Sequence, residues 1–171
     1  MDEVVQKQAF SYFRIITGML GRPGTYLSSS LSGHDVKTPA LFLLISTVFY
    51  SSASLTVLKG NIILSAGILA LNAFIMPVIN AAVSLIFIRM LTTDNSGFIR
   101  IFSIHAYAAG TVLLAAWIPM ILWITEPWKW ILIIAGFVRG CGMTYLQAII
   151  VSVITAGFII GLFQFLINIV I

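Results

Sequence analysis

The stretch Ile104–Pro119, IHAYAAGTVLLAAWIP, decides the fold. It opens on a histidine and a tyrosine set among alanines, runs through an uncharged apolar segment and closes on Trp117 and Pro119. A helix of this composition has no charged face to offer water, and its small side chains let neighbouring helix backbones come close. The span predicted around it, Phe102 to Ile124, reaches across the ~30 Å hydrocarbon core of a bilayer at ~1.5 Å rise per residue.

The same character extends through the chain of 171 residues, which is 60% hydrophobic and 8% charged, with a mean hydropathy of +1.10. Soluble domains carry about 25% charged residues, so lipid must cover much of this surface. Only helices and closed barrels satisfy their backbone groups in lipid. Long continuous apolar runs, without alternation, select the helix. The fold class predicted is an all-α, polytopic membrane helical bundle of about five transmembrane helices plus an N-terminal amphipathic interfacial helix. The net charge of +4 comes from Lys and Arg at the ends of apolar runs, which is how membrane topology is encoded. No nucleic-acid partner is expected. The lone Cys141 rules out an internal disulfide. No signal peptide is recognised behind Asp2 and Glu3, so the first apolar span is expected to act as its own insertion signal.

Residues 1–37 form a cytoplasmic amphipathic helix and linker in this reading, and hold seven of the fourteen charged residues. Val5, Phe10, Phe13, Ile16 and Leu20 fall near one helical face. Two placements are open: on the membrane surface with that face among acyl chains, or packed on the inner face of the bundle. Gly21-Arg22-Pro23-Gly24 ends the helix. Residues 38–171 form the transmembrane domain, with spans at about 38–58, 62–91, 102–124, 128–145 and 146–171. Hydroxyl residues in the first span are expected to bond back to their own helix or to a neighbour. Lys59-Gly60-Asn61 and the segment from Thr92 to Gly97 read as short turns.

The second span is too long for a straight crossing and carries Pro77 at its midpoint, so a kink is expected there. Pro119 is a second expected kink. Asn80 and Ser84 share a face four residues apart, and Asn72 lies within a quarter turn of Asn80. These groups either bond across to a neighbouring helix or line a polar path beside the kink. The four tryptophans, at 117, 123, 128 and 130, mark one membrane interface. Glu126-Pro127 reads as the turn there. The short segment after it either spans, with Arg139 reaching toward headgroups, or re-enters on its glycines. In the last span Gly157 and Gly161 form a GxxxG that lets helix backbones approach. With the N-terminus cytoplasmic and five spans, Lys7, Arg14, Arg22, Lys37, Arg89, Arg100 and Arg139 lie inside, and only Lys59 and Lys129 outside. This satisfies the positive-inside rule.

No phosphate-binding loop, zinc-protease, dithiol or nucleophile-elbow motif occurs. No catalytic residue, cofactor or metal is therefore expected. His34 reads as a loop histidine beside Asp35. His105 is an intramembrane ionisable group, which makes it a functional candidate by default. The residues singled out are Asn72, Asn80, His105, Tyr107 and Arg139 as polar candidates, and Gly157 and Gly161 for helix packing.

The pattern resembles the Yip1 family of small multi-pass membrane proteins. The features that carry it are a short N-terminal helix leading into Gly21-Arg22-Pro23 and Tyr26-Leu27, and five closely spaced spans. A third span opens on His105-Ala106-Tyr107-Ala108-Ala109 and continues to Pro119, and a glycine-rich basic connection follows at Gly136-Phe137-Val138-Arg139-Gly140. Two departures are Gly110 and Thr111 where members often carry a proline, and a short fourth span. The resemblance implies a membrane scaffold or adaptor that associates with other membrane proteins, or with a second copy through the GxxxG face. The alternative is a small transporter, channel or accessory subunit of a transport complex. The short N-terminal region does not carry over the GTPase binding of eukaryotic members. The compact form is similar to prokaryotic members, which implies the cytoplasmic membrane.

Overall fold

The computed structural model describes residues 2–31, 35–57, 62–92 and 96–170, with side chains from Tyr12 onward and, within α4 and α7, without those of Ile62, Leu166, Ile167, Ile169 and Val170. It is an all-α bundle of seven helices: α1 (Asp2–Gly21), α2 (Pro23–Ser30), α3 (Lys37–Ser54), α4 (Ile62–Leu91), α5 (Phe98–Ala116), α6 (Leu122–Gly140) and α7 (Tyr145–Val170). A one-turn 3₁₀ helix, Pro119–Ile121, leads into α6. Among the described residues four segments are long and apolar enough to cross a membrane: Ile63–Leu91, Phe98–Ala116, Pro119–Gly140 and Tyr145–Phe165. The chain is therefore a multi-pass membrane protein. The predicted turn at Lys59-Gly60-Asn61, His34 and Asp94-Asn95 lie outside the described residues.

Helix α3 occupies the predicted first span and is the most hydroxyl-rich of the long helices. Its polarity is inside out. Ser46, Thr47, Ser51 and Ser54 are buried with Phe42 and Leu43, while Leu41, Leu44, Ile45, Val48 and Phe49 are exposed. Three of these hydroxyls have partners: Ser51 donates to the Val48 carbonyl at 3.1 Å, Ser54 to the Tyr50 carbonyl at 2.7 Å, and Ser46 Oγ lies 2.9 Å from the Tyr12 hydroxyl, whereas the buried Thr47 hydroxyl has none among the described residues. Asp35 starts the helix, accepting from the Lys37 N–H at 2.9 Å and the Thr38 hydroxyl at 2.5 Å. These bonds hold its carboxyl below the usual carboxylate range.

Helix α5 is the centre. It touches α1, α3, α4 and α6, and 72% of its span is buried inside the protein. Two glycines allow the contact. A Cβ at Gly110 would meet the Phe42 ring at 2.6 Å, and one at Gly136 of α6 would meet Ile104 at 2.5 Å. Arg89, Arg100 and Arg139 lie at the α4–α5 end of the bundle, the basic end, where α2 packs on α6. Trp117 and Trp123 lie at the opposite end.

The helix boundaries after α5 correct the reading of the sequence. The third span stops at Ala116, not Ile124, because Ile118 adopts an extended backbone ahead of Pro119. A residue before proline is pushed out of the helical region by the pyrrolidine ring. Pro119 is therefore no kink in a span; it opens the next one. Glu126-Pro127 is not a turn but lies inside α6, where proline in the second turn leaves the Trp123 carbonyl without its helical donor. The fourth crossing runs from Pro119 to Gly140, longer than the predicted 128–145, and the re-entrant alternative is set aside by this continuous helix. It ends at Gly142, whose φ of +70° turns the chain. Helix α7 then starts on a reciprocal pair: the Thr144 N–H donates to Gln147 and the Gln147 N–H to the Thr144 hydroxyl, at 3.0 and 3.3 Å. Helix α4 continues through Pro77 as one element.

The N-terminal helix uses two faces. Ile15 and Met19 are buried, with Tyr12 beside them, whereas Phe13 and Leu20 of the predicted apolar face are 65% and 56% exposed. Helix α1 therefore packs on the protein by one side and leaves a second apolar side free. The side chains of Val5 and Phe10 lie outside the described residues.

Candidate functional site

Successive antiparallel helices bring the polar residues of α4 and α5 to matching levels. Ser84 lies seven residues before the end of α4, and His105 seven residues after the start of α5. Their side chains meet: Ser84 Oγ is 3.0 Å from His105 Nε2, and the same oxygen is 3.3 Å from Thr155 Oγ1 of α7. The histidine ring also meets Phe137 of α6 edge-on at 5.8 Å. All three polar groups are buried. One hydroxyl thus ties three helices together in a setting without water, where each bond replaces an otherwise unmet polar group.

This node is the inner end of a cavity. The cavity, of about 210 Å³, lies between α4 and α6 over α5, with Tyr50 of α3 at its side. Asn72 and Asn80, eight residues apart on α4, both line it, as do Pro77 and His105. Neither asparagine amide has a hydrogen-bond partner among the described residues. Pro77 has no N–H to give to the carbonyl of Ala73, one turn earlier, and Ala73 is also a lining residue. Glu126 and Lys129 of α6 complete the wall toward the tryptophan end. They form an ion pair at 2.6 Å, with the Lys129 ammonium 5.7 Å from the centre of the Trp130 ring. No α7 residue lines the cavity.

The structure thus brings Asn72, Asn80, Pro77 and His105 into the lining of one cavity. It does not bring Tyr107 to them. That ring is buried on another side of α5, edge-on to Tyr26 of α2 at 5.8 Å and tilted against Phe42 at 5.8 Å. Phe42 in turn lies tilted against Tyr12 at 5.0 Å between ring centres, and the Tyr12 hydroxyl is 2.9 Å from Ser46 Oγ. Burial pushes the Tyr12 phenol up. The cluster anchors α1 and α2 to the bundle. Arg139 is exposed at the basic end, its stem against α2 beside Gly24.

Gly157 and Gly161 pack against nothing among the described residues: a Cβ at either position would have no such atom within 4 Å. Around them Phe158, Ile160, Leu162, Phe163 and Phe165 are exposed. Thr155, Glu126 and Lys129 were not legible as site residues. The charged pair has a signal, opposite charges three residues apart inside an apolar run, but reading Pro127 as a turn hides it. Thr155 is one hydroxyl in an apolar helix, and only packing singles it out. Among the described residues no three His, Cys, Asp or Glu side chains converge as a metal site would need. Comparison of the chain with protein-family models, curated proteins and solved structures finds no match.

Proposed function

We propose that the protein is a non-catalytic integral membrane adaptor of the Yip1 type, with five spans and its N-terminus on the cytoplasmic side of a prokaryotic cytoplasmic membrane. It binds a transmembrane helix of another membrane protein along the second half of α7. The observation that carries this reading is the bare Gly157/Gly161 face within an exposed apolar half-helix. Between lipid-covered helices, association depends on close backbone approach and dispersion contacts, because burying apolar surface from lipid gains nothing by itself. Two small residues one turn apart supply that approach. Purification from native membranes into nanodiscs, followed by mass spectrometry, is expected to recover a second membrane protein. The double substitution Gly157→Leu/Gly161→Leu is expected to lose it. A lone monomer under all mild conditions overturns the reading, as does a homodimer and nothing else. A reporter fused at the C-terminus is expected outside; a cytoplasmic signal removes the five-span topology.

The cavity favours a second reading, an accessory subunit of a transport complex, because an intramembrane space lined by asparagines and a histidine is a setting for polar ligands. Autonomous flux in proteoliposomes would support transport by this chain alone, and its absence under all solute gradients removes that form.

A further inference from the structure

The cavity between α4 and α6 has a specific donor and acceptor inventory. Its acceptors are the Glu126 carboxylate, the Ala73 carbonyl that Pro77 leaves without its helical donor, and two carboxamide oxygens. Its lining residues also carry donors: the Lys129 ammonium, the two carboxamide NH₂ groups, the Tyr50 hydroxyl and the Trp130 indole N–H. The single formal negative and positive charges balance. A net anion would leave Glu126 opposed, and a net cation would leave Lys129 opposed. Glu126 and Lys129 already pair with each other at 2.6 Å, so a ligand that carries both an N–H cation and an oxyanion can meet both members of that pair without leaving either charge opposed.

Size and surroundings narrow the class further. A volume of about 210 Å³ equals the liquid share of about seven waters. That accommodates a phosphate and a two-carbon amine, but no acyl chain. The rim residues Leu69, Asn72 and Leu122 have as sequence neighbours the exposed apolar side chains Ile68, Leu71 and Trp123. An amphiphile can therefore seat its polar end in the cavity and leave its chains along α4 and α6.

We propose that this cavity binds the headgroup of one zwitterionic phospholipid bearing a primary amine, a phosphatidylethanolamine. The ammonium faces Glu126 and the Ala73 carbonyl, and the phosphate faces Lys129 and an asparagine amide. The carboxamides of Asn72, exposed, and Asn80, half-buried, have no partner among the described residues and gain one in the lipid headgroup. This site is on the opposite half of the bundle from the basic end and is independent of the α7 face.

The test is native mass spectrometry of the whole chain in nanodiscs of three compositions: phosphatidylethanolamine mixed with phosphatidylcholine, the same amine lipid mixed with phosphatidylglycerol, and phosphatidylcholine alone with O-phosphoethanolamine added. One amine lipid per chain is expected, preferred about tenfold over the choline lipid, whose quaternary nitrogen has no N–H to give, the factor that one charge-assisted hydrogen bond commands. A preference of similar size is expected over the anionic lipid. Glu126→Gln, a near-isosteric change at a half-exposed site, is expected to abolish the preference over choline lipid without changing the melting temperature. Lys129→Gln is expected to lower retention of both zwitterions. Equal retention of all three lipids overturns the proposal. So does a wild-type preference in Glu126→Gln. Binding of soluble O-phosphoethanolamine in place of the lipid overturns the lipid source and leaves a solute site instead.

Discussion

Helices α5 and α7 are both apolar enough to span a membrane, yet 72% of one span is buried in the protein and 22% of the other. The more apolar of the two is the less buried. In water the order would be reversed, since burial there follows apolar area. In lipid, apolar area is already solvated. What draws a helix to the centre is small side chains that permit close approach and polar groups that need partners. Helix α5 has both: Ala106, Ala108, Ala109 and Gly110 for approach, and Ser103, His105 and Thr111 for bonding, all buried. Ser103 and Thr111 close onto their own helix at 2.7 Å each, on the carbonyls of Ile99 and Tyr107, while His105 reaches across. The buried residues of α7 among those described, Ala148, Val151, Ser152 and Thr155, lie in its first half, and Phe158 meets Phe87 of α4 edge-on at 5.9 Å.

The contrast breaks most visibly at Phe42, which is 1% exposed and wedged between Gly110, Tyr12 and Tyr107. Phe42→Ala is expected to cost about 2–3 kcal/mol, the cavity and lost-packing term without the water-transfer term, read as unfolding in mixed micelles. Phe163→Ala on the exposed half of α7 is expected to stay within about 0.5 kcal/mol. Equal losses would show that α5 is not the structural centre. Next in size is Gly110→Leu, which drives a side chain into the Phe42 ring and is expected to cost about 1–3 kcal/mol. Gly157→Leu has open space, so an unchanged melting temperature is expected in the isolated chain, with the effect appearing only in partner recovery.

Smaller still is the polar node. Ser84→Ala is expected to cost about 0.6 kcal/mol, and at most ~1.7, the range of hydrogen bonds between membrane helices. Its cost and that of His105→Leu should not add, because they share a bond. Additivity in a double-mutant cycle would dissolve the node into separate contacts. The least effect belongs to Asp35. Its carboxyl lies below its ordinary value in the folded chain, so the stability it lends α3 is present above the unfolded value. That contribution is lost as pH falls through the folded one. A shallow acid-side decline in melting temperature is expected, absent in Asp35→Ala. A decline of equal size in that variant would place its cause elsewhere.

The polar candidates were legible in unequal degree. Asn72 and Asn80 stand out because an asparagine in an apolar run is rare and costly, and their spacing on one helix is arithmetic. That they share a cavity with His105 required α4 and α5 to lie antiparallel at one level, which their short connection implies. Glu126 and Lys129 required knowing that Pro127 sits within a helix. Proline ends some helices and is carried inside others, as at Pro77 and Pro127, and the sequence alone does not say which applies. Which apolar face of α1 meets the protein was open in the sequence for a related reason. Tyr12, Ile15 and Met19 make one stripe and Phe13, Ile16 and Leu20 another, and which stripe meets protein is a matter of what lies opposite.

The sequence by itself determined the solvent: a chain with so few charges and such long apolar runs belongs in lipid, and in lipid an unclosed backbone must be helical. It also marked α5 by its small and polar residues. Only the tertiary structure decided where α5 ends and α6 begins, which hydroxyl of α7 joins the histidine, and that the Gly157/Gly161 face stays open while Gly110 and Gly136 are filled. The reason is physical. Composition sets the free energy of transfer for each helix on its own, whereas packing depends on the shape that neighbouring helices present, and glycines that look alike in sequence differ only in what stands against them.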